Sequence, residues 1–338
     1  MLSTRRDLLK ASAATSLLAG VGAGIAGGAV AGRAVAGAAQ SGPTRMVAPP
    51  FLFGLHVPDG ELPGALTAAE TLVSRRADVV LVFGIVGSPS IGRIEQLQAD
   101  GYEVALCLEW WDGAKKVQDP RFTLASIAAG AHDAAAARWW QLLATLERPV
   151  HLRVLHEGNG DWYPWGVNNG INAVSDYVPA YRRIAEHARS IAGDRVRMQW
   201  CINRMSFGRQ PVPFAAIYPG ADWVDELVVN GYNRPEHRRS TSFEGLFRPA
   251  FTELKSYDAA KPFWIGETAS TEKRGDKAAW IDGLFRTLRT TMAVDVLTWF
   301  HQRIVRPNDM RDWPFDTTPD SLDAFRRGVS VSRGVTLG

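Results

Sequence analysis

Short, nearly continuous apolar runs alternate along this chain with longer stretches whose apolar residues recur at helical spacing. Eight runs of the first kind lie at 51–56, 78–84, 102–109, 149–156, 196–202, 226–231, 262–267 and 294–300. Parallel strands buried on both faces read this way, because neither face alternates with solvent. The intervening stretches include 177–191, where Tyr177, Tyr181, Ile184, Ala188 and Ile191 would share a helix face, and 280–288. Eight strands separated by helices, with no turn-only hairpin between them, predict a single closed (β/α)8 TIM barrel. A doubly wound open sheet is the alternative, but it calls for a glycine-rich phosphate loop after the first strand, and none is present there. The barrel is expected over 51–330, with a disordered tail at 331–338.

Composition narrows the function. A chain of 338 residues with 46% hydrophobic content can bury a large core in one domain. A net charge of +3 with scattered arginines gives no stripe for nucleic acid. The first segment stands apart from the fold. Ser3-Thr4-Arg5-Arg6-Asp7-Leu8-Leu9-Lys10, followed by an Ala/Gly-rich apolar stretch, has the pattern of a twin-arginine export signal over 1–38. Cleavage sites fit at Ala34-Val35-Ala36 or Ala36-Gly37-Ala38, with 39–50 a Pro/Gly-rich lead-in. A retained membrane anchor is the alternative. The expected partner here is therefore the translocase during export, with no stable membrane insertion after cleavage and a monomeric state. Cys107 and Cys201, the two cysteines, are expected as buried free thiols.

Two segments carry candidate chemistry. Arg153-Val-Leu-His156-Glu157-Gly-Asn159-Gly-Asp-Trp162-Tyr163-Pro-Trp165-Gly166 delivers a carboxylate at the end of an apolar run, then a glycine-rich turn with Asn159 and three aromatic rings. Lys261-Pro-Phe-Trp-Ile-Gly266-Glu267-Thr268 ends a second run in a carboxylate. Strand ends at the carboxyl face of a barrel are where its chemistry is done. Aromatic faces beside carboxylates suit pyranose rings, and glycosidic hydrolysis needs two carboxyl groups. By the strand period of two, Arg153 shares a face with Leu155 and Glu157. It either sets the charge balance there or is a structural arginine paired with another carboxylate. His56 and Glu109, ending the first and third runs, are supporting candidates. A metal site is not expected, since the histidines lack ligand spacing such as His-x-His and His151 lies at the inactive end of its strand. No Gly-x-Ser-x-Gly elbow supports a serine hydrolase, and no cofactor is implied.

These motifs resemble glycoside hydrolase family 26, the β-mannanase-like members of the retaining (β/α)8 glycosidases. The likeness runs from about Phe51 to about Arg327, with His156-Glu157-x-Asn159-Gly-x-Trp162 its most specific piece. Val104-Ala-Leu-Cys-Leu-Glu109-Trp110-Trp111 is similar to the family's third strand, Asn230-Gly231-Tyr232-Asn233 to the sixth, and Val296-Leu-Thr-Trp299-Phe300 to the eighth. The resemblance implies Glu157 as general acid/base and Glu267 as nucleophile. It places His156 near the nucleophile and the reacting sugar, and Tyr232 as a donor to the nucleophile. Trp162 and Trp299 would be aromatic subsite walls, with Asn159, Trp165, Trp110 and Asn230 completing the substrate-binding set. Asn230 stands where many family mannanases have Asp, and Phe300 where some have Arg, which changes the hydroxyls that can be recognised. The expected activity is hydrolysis of β-mannan or a related β-glycan. A catalytically inactive glycan-binding protein on the same barrel is the alternative.

Overall fold

The computed structural model describes residues 51–330, except 114–115, 209–210, 236–240 and 307–308, together with Ser332. The segment 1–38 read as an export signal, the lead-in 39–50 and the rest of the tail lie outside the described residues. Eight parallel strands close into a barrel, each paired with its neighbours in chain order. They are β1 (Leu52–His56), β2 (Val79–Ile85), β3 (Glu103–Glu109), β4 (Val150–Val154), β5 (Val196–Asn203), β6 (Glu226–Asn233), β7 (Phe263–Ser270) and β8 (Val296–Phe300). Every apolar run read from the sequence overlaps one of them, with β2, β5, β6 and β7 continuing one to three residues past the end of the run. The β1–β8 pairing, from Leu52 opposite Val296 to His56 opposite Phe300, seals the cylinder.

The surrounding helices are α1 (Gly64–Val73), α2 (Gly92–Ala99), α3 (Leu124–Ala128), α4 (Asp133–Leu143), α5 (Tyr177–Ala192), α6 (Phe243–Tyr257), α7 (Lys277–Thr290) and α8 (Pro319–Val329). The stripe expected over 177–191 is the buried face of α5, with Tyr177, Tyr181, Ile184 and Ala188 against the barrel. Two features depart from the expected alternation. The β5–β6 crossover is built from 3-10 turns at Phe214–Ile217 and Ala221–Trp223 instead of an α-helix. An antiparallel hairpin of β9 (Arg303–Arg306) and β10 (Asp309–Asp312) comes after β8, where no hairpin was expected.

Alternation along each strand divides the packing into two shells. Outward residues such as Phe53, Val80, Leu106, Leu152, Leu227, Ile265 and Leu297 meet the helices in the main core. Inward residues, among them Val79, Leu81, Ala105, Cys107, Cys201, Val228, Trp264 and Val296, form a smaller core inside the barrel. Both cysteines are buried and free. Below this plug His151 is held by Glu226 at 2.7 Å and Glu103 at 3.1 Å. Burial pulls its pKa down, but the bonds and charges of the two glutamates outweigh that and raise it to about 9. The amino-terminal end of the barrel therefore closes on an ion-paired imidazolium. Its carboxyl end is left to the two glutamates.

Candidate active site

β4 ends at Val154, three residues short of Glu157, so the chain must turn to bring that side chain over the barrel. It does so through left-handed backbone at Leu155 (φ 47) and Glu157 (φ 52). Such conformations are costly for residues with a Cβ and persist only where neighbours over-determine them. Here Tyr177 Oη donates to Leu155 O at 3.0 Å and Trp165 Nε1 to His156 O at 2.8 Å. Glu157 N donates to Cys201 O at 2.9 Å, and Gly160 N to Glu157 O at 2.8 Å. The turn also overturns part of the sequence reading: Leu155 leaves the inward face and joins the outer core. Arg153 faces inward, but Glu157 reaches the same space by the turn rather than by strand parity.

Glu267 lies within β7, which continues to Ser270, and is not at its tip. The register slips between β6 and β7, where Val229 pairs with Ile265 but Asn230 pairs with Glu267. Gly266 is the extra residue of this bulge. Without it Glu267, two residues after outward Ile265, would face the helices; the slip turns it inward beside Asn230 and Tyr232. A side chain at 266 would have nowhere to go. Its Cβ would stand 2.4 Å from Val228 Cγ1 and 2.7 Å from both Arg153 Nη2 and Asn230 Oδ1.

Three donors then converge on the Glu267 carboxyl. Arg153 Nη1 at 3.1 Å and Asn230 Nδ2 at 2.9 Å meet Oε1, and Tyr232 Oη at 2.7 Å meets Oε2. Arg153 is wholly buried and also donates through Nε to Gln199 Oε1 at 3.0 Å. Of the two roles left open for it, the observed one is an ion pair with this carboxylate. Glu157 is differently placed. Burial first, then the charge of Glu267, raises its pKa to about 7, opposed by hydrogen bonds from Asn230, Asn203 and Trp162. Trp162 Nε1 donates to Oε2 at 2.8 Å. The Asn230 amide thus sits between the two carboxyl groups. One of them can hold a proton near neutrality while the other is gripped by donors, which is the division of labour an acid and a nucleophile require.

The aromatic set differs from the one expected. Trp162 and Tyr163 are partly exposed beside Glu157, as are Tyr232 and Phe83 around the mouth. Trp165 is fully buried behind Tyr163, the rings stacked at 4.5 Å and 7°, and cannot touch a sugar. Trp110 is 1% exposed in the outer core; its neighbour Trp111 instead meets Tyr163 and donates to Glu109 Oε2 at 2.9 Å. Trp299 points away from the barrel axis, packs on Trp280 and Phe325, and donates to Trp313 O at 3.0 Å. Phe300 is the inward ring of β8, stacked on His56 at 4.4 Å. Asn159 is buried and ties the loop after β4 to the end of β5, donating to Asn203 O and accepting from Asn203 N, each at 2.8 Å. Asn230 Nδ2 donates to Glu267 Oε1, so its amide belongs to the carboxylate pair.

His156 also departs from its expected place. It is 1% exposed and its Nδ1 lies 3.2 Å from Cys107 Sγ, not against Glu267. Burial and the Arg153 charge lower its pKa to about 3, so the ring is neutral. His56 is likewise packed, with Nδ1 at 3.0 Å from Leu81 O and Nε2 at 3.1 Å from Gln302 Oε1. Sequence reasoning passed over Tyr163 as a wall, along with Gln199, Asn203 and Trp313. A strict count by two from Val296 would have found Phe300; nothing local marks Trp313, which reaches Tyr232 (4.8 Å) from beyond the hairpin. A cavity of about 740 Å³ beside Ser242, Trp280 and Arg286 is lined by neither glutamate.

The fold is a closed (β/α)8 barrel whose mouth brings two carboxyl groups together. The model of glycosyl hydrolase family 26 matches residues 110–256, a span that includes Glu157 but ends before Glu267. Endoglucanase H of Acetivibrio thermocellus is 31% identical over 217 residues, 62% of this chain and 23% of that protein. The mannan endo-1,4-beta-mannosidase of Bifidobacterium adolescentis is 29% identical over 94 residues, 28% of this chain and 9% of that protein. The chain thus spans at most about a quarter of the length of these curated relatives. Among solved structures, the β-mannanase from a symbiotic protist of the termite Reticulitermes speratus superposes with a TM-score of 0.61 at 15% identity, covering 85% of this chain and 89% of that one. The Bacteroides ovatus β-mannanase BoMan26A gives 0.62 at 16% identity, covering 85% and 92%. The resemblance to family 26 read from the motifs is therefore present in the sequence match, and the barrel is shared with its solved members.

Proposed function

We propose that this chain hydrolyses a β-linked glycan by double displacement with retention. Glu157 protonates the departing glycosidic oxygen while Glu267 attacks the anomeric carbon, forming a glycosyl ester. Glu157, now ionised, takes a proton from water, which attacks the ester and frees Glu267. The observation that carries this reading is the asymmetry of the pair: a buried Glu157 with its pKa near 7 beside a Glu267 held by three donors. The shared Asn230 amide favours the short carboxyl spacing of retaining enzymes, about 5–5.5 Å, over the wider inverting one. Trp162 and Tyr163 offer π faces to the sugars flanking the cut.

The substrate class is drawn from the chain's relatives. Its 31% identical relative is named an endoglucanase and the solved barrels are named mannanases, so a β-linked hexose polymer is the class. With Asn230 and Phe300 in place of a carboxylate and a guanidinium, β-glucan stands ahead of β-mannan. We further propose export by the twin-arginine route, on the strength of Arg5-Arg6 and the apolar stretch after them, to act outside the cytoplasm as a monomer.

A polysaccharide panel of mixed-linkage β-glucan, β-mannan and β-1,3-xylan, run with wild type, Glu157→Gln and Glu267→Ala, tests the reading. Cleavage by wild type alone supports it. Binding of a glycan by all three with cleavage by none would make the chain a glycan-binding protein instead.

A further inference from the structure

We infer that Lys277 is a positioning residue for Glu267, acting through the loop that carries Trp313 and through the Tyr232 ring that Trp313 holds. The inference rests on Glu267 being the nucleophile. Lys277 opens α7, directly after the β7–α7 connection, and is 1% exposed. Its ammonium spends all three donors on one loop: Asp312 O at 3.0 Å, Pro314 O, and Thr317 Oγ1 at 3.0 Å. A buried cation so fully engaged on backbone carbonyls defines where that segment lies. Between two of these anchors sits Trp313, whose carbonyl is pinned by Trp299 Nε1. The Trp313 ring packs on Tyr232 at 4.8 Å with planes 34° apart, and Phe300 meets Tyr232 edge-on at 5.9 Å. Tyr232 Oη is the donor to Glu267 Oε2. Removing the ammonium frees the loop, then the ring, then one of the nucleophile's three bonds.

The latch also carries a pH dependence. Burial lowers the Lys277 pKa to about 8, despite the charges of Glu272, Asp312 and Asp316 facing it, with Arg303 adding to the fall. His301, nearby on the β8 exit, has its own pKa lowered to about 4 and is neutral in that range. Glu272 accepts from Thr317, Thr318 and Ser321, so α8 and the loop end are fixed independently of Lys277. As pH rises through about 8 the lysine loses one donor and the loop one anchor.

The test uses Lys277→Met, Lys277→Arg and Thr317→Val in the full chain, assayed on a dinitrophenyl β-glycoside, whose leaving group needs no proton from Glu157. Wild type is expected to lose glycosylation rate above about pH 8. Lys277→Arg, charged throughout, should move that fall upward. Lys277→Met should lose about 10- to 100-fold in kcat, with KM within about threefold, and show no fall. A crystal structure of Lys277→Met should show residues 312–314 displaced and the Tyr232–Glu267 bond broken. Wild-type kcat and pH profile in Lys277→Met, or Trp313 unmoved in its crystal structure, would overturn the inference. Should Lys277→Met fail to fold, Thr317→Val is expected to lower kcat in the same direction, and an unchanged kcat there would overturn it equally. If wild type cleaves no aryl glycoside, the hydrolase reading falls, and the crystal structure of Lys277→Met still decides whether the latch exists.

Discussion

At the scale of single residues, the two carboxyl groups are chemically alike and differ only by surroundings. Glu157 is set apart by burial and by the negative charge of its partner, and its donors only partly offset that. Because the acid must be protonated, kcat/KM on an unactivated polysaccharide should fall as pH rises through about 7. Trp162→Phe deletes a donor that holds the Glu157 pKa down, so a pH–rate profile of that variant should show the alkaline limb displaced upward. In kcat/KM, which reports the glycosylation step, Glu157→Gln should cost about 10²- to 10⁴-fold on polysaccharide, the usual worth of a general acid, and far less on an aryl glycoside with a good leaving group. Side by side, the two assays give the ratio. The motifs made it legible that these two carboxyl groups share one mouth, but the aromatic frame was harder to read. The resemblance made Trp299 a subsite wall and put Trp165 in the substrate-binding set. Their ring N–H groups instead bond carbonyls beneath the surface, a choice no spacing rule reveals.

At the scale of elements, two irregularities aim the glutamates. The left-handed turn after β4 carries Glu157 over the mouth, and the Gly266 bulge turns Glu267 inward. Gly266→Ala places a methyl group against Val228, Arg153 and Asn230. It should destabilise the fold by about 1–3 kcal/mol, as overpacking does, and reduce activity beyond what the stability loss explains. Thermal melts paired with kinetics separate the two effects. Strand placement was readable because apolar runs buried on both faces have little else they can be. The bulge was not, since one added glycine leaves the apolar pattern of 262–267 intact while reversing the face on which Glu267 and its successors lie. The hairpin of β9 and β10 escaped for a related reason. Arg303-Ile-Val-Arg306 and Asp309-Met-Arg-Asp312 are too short and too charged to stand out as strands.

Across the whole molecule, the barrel is polarised along its axis. The amino-terminal end is closed by His151 between Glu103 and Glu226, an apolar plug with Cys107 and Cys201 fills the middle, and the carboxylates occupy the far mouth. The His151 pKa of about 9 in the fold exceeds its ordinary 6.5. Its contribution to stability is therefore complete below about pH 6.5 and lost as pH rises through about 9. Melting temperatures across that range should decline in wild type and decline less in His151→Gln. The central claim, that the fourth and seventh strands supply an acid and a nucleophile to one sugar, is tested most directly by trapping. Wild-type protein treated with a 2-deoxy-2-fluoro-β-glycosyl fluoride of the hexose it cleaves, then digested and sequenced by mass spectrometry, should carry one glycosyl group on Glu267. A label on any other residue, or turnover without a trapped ester and with inversion at the anomeric carbon, would contradict it.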